Sequence, residues 1–259
     1  GRVHSEYSPA NGKIFVLVIG SDARYGNPNG ANADAIHILG INSKTGRGGI
    51  LNFPRDSYVN IPGRGSGKIN EALLYGGPEL VAQTVEDLTG IKLDYWVLTG
   101  FEGFRGLLKD LGGGVQINLP YAIHDYGSGA NLNAGKQRLL AEASLSYVRS
   151  RKTLPGGDIA RTTNQGRYLL ALLRKFQGDV KSNPSDLFRW VATTQRWTRL
   201  DLRPEELFDL GILASQVKQS EIKSVTVPVS LGTVGAASVV FISPTANSIY
   251  ANFRKHGSL

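Results

Sequence analysis

The 259-residue chain carries 29 Lys+Arg against 21 Asp+Glu, a net charge of +8, and is 41% hydrophobic and 19% charged. That length and apolar share exclude a disulfide-stapled peptide and a largely disordered chain, and they allow a buried core in one large domain or two small ones. With no Cys, disulfides, Cys-ligated zinc, iron–sulfur clusters and thiol nucleophiles are excluded as well.

The chain opens Gly1-Arg2-Val3 and holds no Met, so residues 1–12 are expected to be a tail behind a removed N-terminal anchor, followed by one continuous domain over 13–259. Residues 14–19, 35–41 and 49–53 are short, apolar and rich in β-branched side chains, the pattern of buried strands. None is close to the roughly 20 residues that cross a bilayer. Residues 78–88 follow as a helix that Pro78 opens and Gly90 stops, then a strand at 95–98, a helix at 101–111 ending at Gly112, and an alternating strand at 115–119. A helix fits 141–148, and another fits 159–176, where Leu169, Leu172, Leu173 and Phe176 share a face. Helices over 184–197 and 204–217 and strands over 224–229 and 238–242 finish the chain. Strands interleaved with helices predict an α/β or α+β layered domain around a mixed sheet.

Asp22 lies just past the first strand and Asp34 just before the second. In a meander both carboxylates fall at one end of the sheet, and the third strand, returning through residues 42–48, delivers Arg55 and Asp56 to the same edge. Neighbouring carboxylates suit a hard cation such as Mg²⁺, though turn and capping duties are also common for Asp at strand ends. A second concentration lies between Ala143 and Arg167, where Arg149, Arg151, Lys152, Arg161 and Arg167 face a single acid, Asp158. Asp158 is expected to cap the helix from Ile159, which places Arg161 in a first turn that favours anions and Gln165 on the same face. Arg149 and Arg151 share a face only if the chain is extended after Val148. Guanidinium groups bind phosphate bidentately, so the cluster suits a pyrophosphate, with a solvated basic face as the alternative.

Other signals are weaker. Lys68 follows the glycine-rich residues 63–67, which lack the phosphate-loop pattern, and Gly112-Gly113-Gly114 reads as a helix stop. His37, inside an apolar strand, is expected to face the core, and the four His show no metal-ligand spacing. No nucleic-acid partner is expected, because no aromatic-interleaved basic stripe occurs around residues 149–167.

Taken in order, Val18-Ile19-Gly20-Ser21-Asp22-Ala23-Arg24, Asp34, Phe53-Pro54-Arg55-Asp56, Lys68-Ile69-Asn70, Tyr75-Gly76-Gly77-Pro78, Tyr147-Val148-Arg149-Ser150-Arg151 and Gly157-Asp158-Ile159-Ala160-Arg161 with Gln165 resemble the LytR-CpsA-Psr family. The resemblance implies an α/β/α sandwich around a central mixed β-sheet with a hydrophobic tunnel. It further implies an extracytoplasmic, membrane-anchored phosphotransferase that moves a glycopolymer from a polyprenyl-pyrophosphate carrier to peptidoglycan or another wall acceptor, with Mg²⁺ or Mn²⁺. On that resemblance Asp22 and Asp34 would hold the metal, Arg55, Arg149, Arg151 and Arg161 would clamp the pyrophosphate, and Lys68 and Gln165 would add polar contacts. Asn32 stands where the family often has Arg, a contact that Arg24 would supply. The helices at 78–88 and 101–111 offer apolar side chains for the tunnel, and the same side chains suit an ordinary core. Two other activities use the same residues: a hydrolase that sends the lipid pyrophosphate to water, and a non-catalytic binder of an anionic wall polymer.

Overall fold

In the computed structural model, which describes residues 12–23 and 26–259, the first three strands form the expected meander. Arg24 and all of the expected tail except Gly12 lie outside the described residues. Strand β1 (Lys13–Ser21) pairs antiparallel with β2 (Ala33–Asn42), and β2 with β3 (Arg47–Phe53). A small hairpin, β4 (Tyr58–Ile61) and β5 (Gly65–Lys68), leads to α1 (Glu71–Thr89) and β6 (Tyr95–Thr99), which lies parallel to β1. Next come α2 (Phe101–Leu111), β7 (Val115–Leu119), β8 (Ile123–Asp125), β9 (Ala130–Leu132), β10 (Gly135–Leu139) and α3 (Ala141–Arg149). Helices α4 (Gly157–Ser182) and α5 (Asp186–Trp197) precede β11 (Arg199–Leu200) and α6 (Pro204–Gln216). The chain closes with β12 (Ile222–Thr226), β13 (Val229–Val234), β14 (Ala237–Ile242) and α7 (Ala246–His256).

The central sheet runs β11-β6-β1-β2-β3-β12 and is mixed, with β12 parallel to β3 and β11 antiparallel to β6. Strand alternation sends Phe15, Leu17, Ile19, Ile36, Ile38, Leu51 and Phe53 to one face, where they pack on Leu73, Val81 and Val85 of α1 and Tyr250 and Phe253 of α7. Val16, Val18, Leu39, Ile41, Ile50 and Val97 point the other way, toward α4, α5 and α6. The result is the α/β/α sandwich that the family resemblance implies, one of the layered arrangements the element order allows. Helix α4 comes very close to the sheet at Gly166, where a Cβ would lie 2.3 Å from Ser224 Oγ and 2.7 Å from the Asn52 amide. A satellite core of Val115, Ile117, Leu119, Ile123, Leu132, Tyr147 and Tyr168 sits under the β7–β10 and β8–β9 hairpins. Among the described residues no helix is long and apolar enough to cross a membrane.

Several expectations need correction. The helix expected at 78–88 is the second half of α1, which already begins at Glu71 and breaks at Gly76 and Gly77 before Pro78 restarts it. Of the glycine-rich residues 63–67, Gly63 and Arg64 fall in the β4–β5 turn and Gly65, Ser66 and Gly67 belong to β5. Asp158 does not cap α4: Gly156, at φ 89°, is the cap, and Asp158 falls inside the first turn. Residues 224–229 divide between β12 and β13. Strands β8 and β9 and helix α7 escape sequence reading because three-residue strands fall below the length at which alternation shows, and α7 buries only Ala246, Tyr250 and Phe253. Gly112, Gly113 and Gly114 do end α2, all at positive φ, with the Gly112 N–H donating to the Leu108 carbonyl at 3.1 Å.

Candidate active site

The meander brings Asp22, Asp34 and Arg55 to one edge of the sheet, and α3, the linker after it and α4 bring the remaining cations to it. Asp22, Asp34, Arg55, Arg149, Arg151 and Arg161 line one polar pocket of about 300 Å³, together with Phe101, Asp125, Gly127, Ser128 and Lys152. Asp34, which lies inside β2 and not before it, forms a short hydrogen-bonded ion pair with Arg55 Nη1, and Arg161 Nη1 stands 3.7 Å from its other oxygen. Asp158 Oδ1 lies 2.7 Å from Arg161 Nη2, 3.5 Å from Arg55 Nε and 3.8 Å from Arg151 Nη1. Thus two acids spaced far apart in sequence tie three guanidinium groups into one cluster. Arg149, the last residue of α3, lays its guanidinium over the Phe101 ring with 4.5 Å to the centroid. Ser150 then turns extended, at φ −63° and ψ 130°, which is the condition that puts Arg149 and Arg151 in the same pocket.

Burial sets the electrostatics. Burial raises the Asp22 carboxyl above its ordinary value, and the neighbouring Asp34 charge adds to this against the hydrogen bond that Asp22 Oδ1 accepts from the Asn32 N–H at 3.0 Å. Asn32 therefore serves Asp22 through its backbone. Burial also pushes the Asp158 carboxyl up despite Arg161 and Arg55, and it pulls the Arg161 guanidinium down despite Asp34 and Asp158. For Arg55 burial is outweighed by Asp34, Asp158 and Asp56, and its pKa is raised. Arg55 Nε and Arg161 Nε are buried and make no hydrogen bond among the described residues. Buried guanidinium N–H groups that make no hydrogen bond, in a pocket lined by further cations, are the arrangement an incoming oxyanion completes.

Two candidates stand apart from the pocket wall. Lys68 pairs with Asp56 at 3.0 Å and is one ion pair removed from Arg55. Gln165, buried, donates its amide to the Val148 carbonyl at 3.0 Å and to the Asp34 carbonyl at 3.3 Å, so it ties α3 to β2 beneath the pocket. Sequence reading passed over Asp125, Ser128 and Phe101 as site residues. The run Asp125-Tyr126-Gly127-Ser128-Gly129 was the available signal, a turn sequence between two alternating triplets.

A second cavity, of about 280 Å³, lies between the sheet and α4, α5 and α6, walled by Val16, Val18, Leu39, Leu169, Leu173 and Trp190 among others. Helix α1 lies on the opposite face of the sheet, in the packed core, and no residue of the helix at 101–111 lines the cavity, although its Leu111 packs on Phe176 and Trp190 of the wall. The two cavities follow one axis. Along α4 the same face carries Arg161, then Gln165, then Leu169, Leu172, Leu173 and Phe176. Between them sits a polar layer in which His37 Nδ1 lies 2.8 Å from Asn52 Oδ1, and Asn52 Nδ2 donates to Ser224 Oγ at 2.9 Å. His37 is 2% exposed, as expected for a core-facing His, and burial lowers its pKa to about 4.

Among the described residues no group of three or more His, Asp or Glu is placed to hold a metal ion. The pair Asp22 and Asp34 fits an ion such as Mg²⁺, which accepts one or two carboxylates and fills its remaining positions with water and phosphate oxygens. Burial, with the neighbouring Asp34 charge adding to it, raises the Asp22 carboxyl, and a bound cation would offset both.

A family model described as the LytR_cpsA_psr family matches residues 2–255. The probable cell wall biosynthesis protein LcpB of Corynebacterium glutamicum is 36% identical over 170 residues, covering 61% of this chain and 40% of that protein. The polyisoprenyl-teichoic acid–peptidoglycan teichoic acid transferase TagU of Bacillus mycoides is 28% identical over 198 residues, covering 76% of this chain and 63% of that protein. The chain thus spans less than two thirds of either relative. Among solved structures, B. subtilis TagV superposes with a TM-score of 0.83 at 21% identity, covering 95% of this chain and 97% of that one. TagT with bound octaprenyl pyrophosphate lipid superposes with a TM-score of 0.73 at 22% identity, covering 98% of this chain and 93% of that one.

Proposed function

The chain belongs to the LytR_cpsA_psr family, and on that premise we propose that it is a phosphotransferase that moves a glycopolymer from a polyprenyl-pyrophosphate carrier to peptidoglycan or another wall acceptor, releasing polyprenyl phosphate. One observation carries this reading: a guanidinium-lined pocket and an apolar cavity lie end to end along the same face of α4. A lipid pyrophosphate has this polarity, a doubly charged head on a hydrocarbon tail. The names of the relatives, which concern cell wall biosynthesis and teichoic acid transfer, and the octaprenyl pyrophosphate held by TagT support the same substrate class.

The reacting groups follow from the pocket. Arg55, Arg149, Arg151 and Arg161 bind the two phosphates and hold the sugar-linked phosphorus at the pocket mouth. An acceptor hydroxyl oxygen forms the new bond to that phosphorus, the bond from the phosphorus to the bridging oxygen breaks, and polyprenyl phosphate leaves while the hydroxyl proton passes to solvent. Charge accumulates on the bridging and non-bridging oxygens as this happens, and fixed guanidinium groups in a partly dry pocket stabilise it without reorganising. Asp22 and Asp34 would hold Mg²⁺, or Mn²⁺, which when bound neutralises phosphate charge. The tail would occupy the cavity behind His37, making that cavity the lipid tunnel. Since the carrier's tail belongs to a bilayer and the acceptor to the wall, the domain would work at the outer face of the cell membrane, held by an N-terminal anchor.

The test is transfer itself. The purified chain, given a polyprenyl-pyrophosphate-linked saccharide, Mg²⁺ and peptidoglycan, is expected to yield wall-linked saccharide and polyprenyl phosphate. Release of free saccharide phosphate with the acceptor present identifies a hydrolase, and tight binding without any product identifies a carrier protein.

A further inference from the structure

The β8–β9 hairpin touches the arginine segment at consecutive residues. Asp125, at the end of β8, is 1% exposed, and its Oδ2 accepts the backbone N–H of Arg151 at 2.6 Å and of Lys152 at 2.9 Å. Its Oδ1 accepts the N–H of Gly127 at 2.8 Å and of Ser128 at 3.4 Å. Ser128 Oγ lies 2.8 Å from Ser150 Oγ, which in turn donates to the Ser146 carbonyl at 2.8 Å. Gly127 leaves room for the Lys152 stem: a Cβ there would lie 3.1 Å from Lys152 Cδ and Cε and 3.2 Å from Asp125 Oδ1.

We propose that Asp125 is a positioning residue, whose carboxylate clasps the backbone of Arg151 and Lys152 and so fixes both cations at the wall of the anion pocket. The proposal rests on the pyrophosphate reading given above. Residues 150–152 have left α3 and belong to no strand, so the helix ladder no longer defines their backbone. A linker whose own backbone bond here is the turn from the Leu154 N–H to the Arg151 carbonyl, and which carries long, flexible side chains, would sample many orientations, and a clamp aimed loosely loses its effect steeply with displacement. One carboxylate taking both N–H groups removes that freedom at low cost in charge. Burial by itself would raise the Asp125 carboxyl, but the N–H groups of Arg151, Lys152, Gly127 and Ser128 outweigh it and hold it below the ordinary value. The carboxylate therefore stays ionised and accepting across the range in which phosphates are bound.

Asp125→Asn keeps the shape and places an amide donor against N–H donors. In the full chain, its affinity for inorganic pyrophosphate is expected to fall about tenfold. Arg151→Gln should produce a loss of similar size, and the double variant should lose clearly less than the product of the two single losses, because Asp125 acts in large part through Arg151. Amide hydrogen exchange at Arg151 and Lys152 should quicken in Asp125→Asn while the strands of the central sheet keep their protection. Should Asp125→Asn not fold, Ser128→Ala loosens the same segment and is expected to weaken pyrophosphate binding about threefold. Fully additive losses in the double variant, unchanged pyrophosphate affinity in folded Asp125→Asn, or unchanged exchange at both amides would each overturn the proposal. A parent chain that takes up no pyrophosphate defeats the transferase reading, and the exchange experiment then decides the clasp alone.

Discussion

The charged pocket and the apolar cavity share a helix and differ in how they are built. The cavity draws on regular periodicity: Leu169, Leu172, Leu173 and Phe176 at helical spacing on α4, and the side chains of Val16, Val18, Leu39 and Ile41 at strand alternation on β1 and β2. The pocket draws on chain ends and turns, taking Asp22 from the end of β1, Arg55 from beyond β3, Arg151 from a linker and Ser128 from a hairpin. Apolar lining is non-directional and tolerates volume-conserving exchange, whereas a guanidinium cluster works only in one geometry. Substitutions in the cavity should therefore grade smoothly with size, and those in the pocket should act nearly all-or-none.

The sharpest test of that contrast is Arg161→Ala. It removes a buried cation from between Asp34 and Asp158, and transfer is expected to fall by roughly 10² to 10³, measured as wall-linked product. The thermal unfolding midpoint should fall too, because two partly buried carboxylates each lose one of the cations they share. The layer between the two cavities gives the next effect. Because burial lowers the His37 pKa from 6.5 to about 4, the unfolded chain takes up a proton that the folded chain refuses. The contribution is fully present above pH 6.5 and is lost as pH falls toward 4, about 3 kcal/mol in all, and His37→Gln should flatten that limb of a denaturation-against-pH curve. On the cavity side, Leu169→Trp should lower turnover of a long-tailed donor about tenfold while leaving inorganic pyrophosphate binding unchanged. Equal loss on both substrates would show that the two compartments are not separable. Lys68→Ala should change transfer by no more than about threefold, because Lys68 reaches the clamp only through Asp56 and its pair is partly exposed.

Part of this arrangement is legible in the sequence. Strands at 14–19, 35–41 and 49–53 are legible and pair as a meander, and the meander brings Asp22, Asp34 and Arg55 together. The apolar stripe of α4 is equally plain. Which stripe borders a cavity is not: residues 78–88 and 159–176 both show helical apolar spacing, yet one is packed solid against Leu17 and Phe53 and the other faces open space. Periodicity tells which side of a helix is buried and nothing about how well its neighbours fill the volume. The grip of Asp125 on residues 151 and 152 is hidden for another reason, since a side chain bonded to distant backbone N–H groups leaves no trace in the identity of its partners.

Because α4 runs unbroken from Gly157 to Ser182, it works as a ruler between head and tail. At 1.5 Å per residue, the step from Arg161 to Phe176 is about 22 Å, and it can be lengthened only in whole turns of about 5.4 Å if the guanidinium is to keep its heading. Inserting a single residue between them would swing Arg161 about 100° around the axis and leave the greasy stripe in place. Relatives that accept longer or shorter carriers are thus expected to differ by three or four residues in this helix, or to alter the far wall near Trp190 and Gly211 instead.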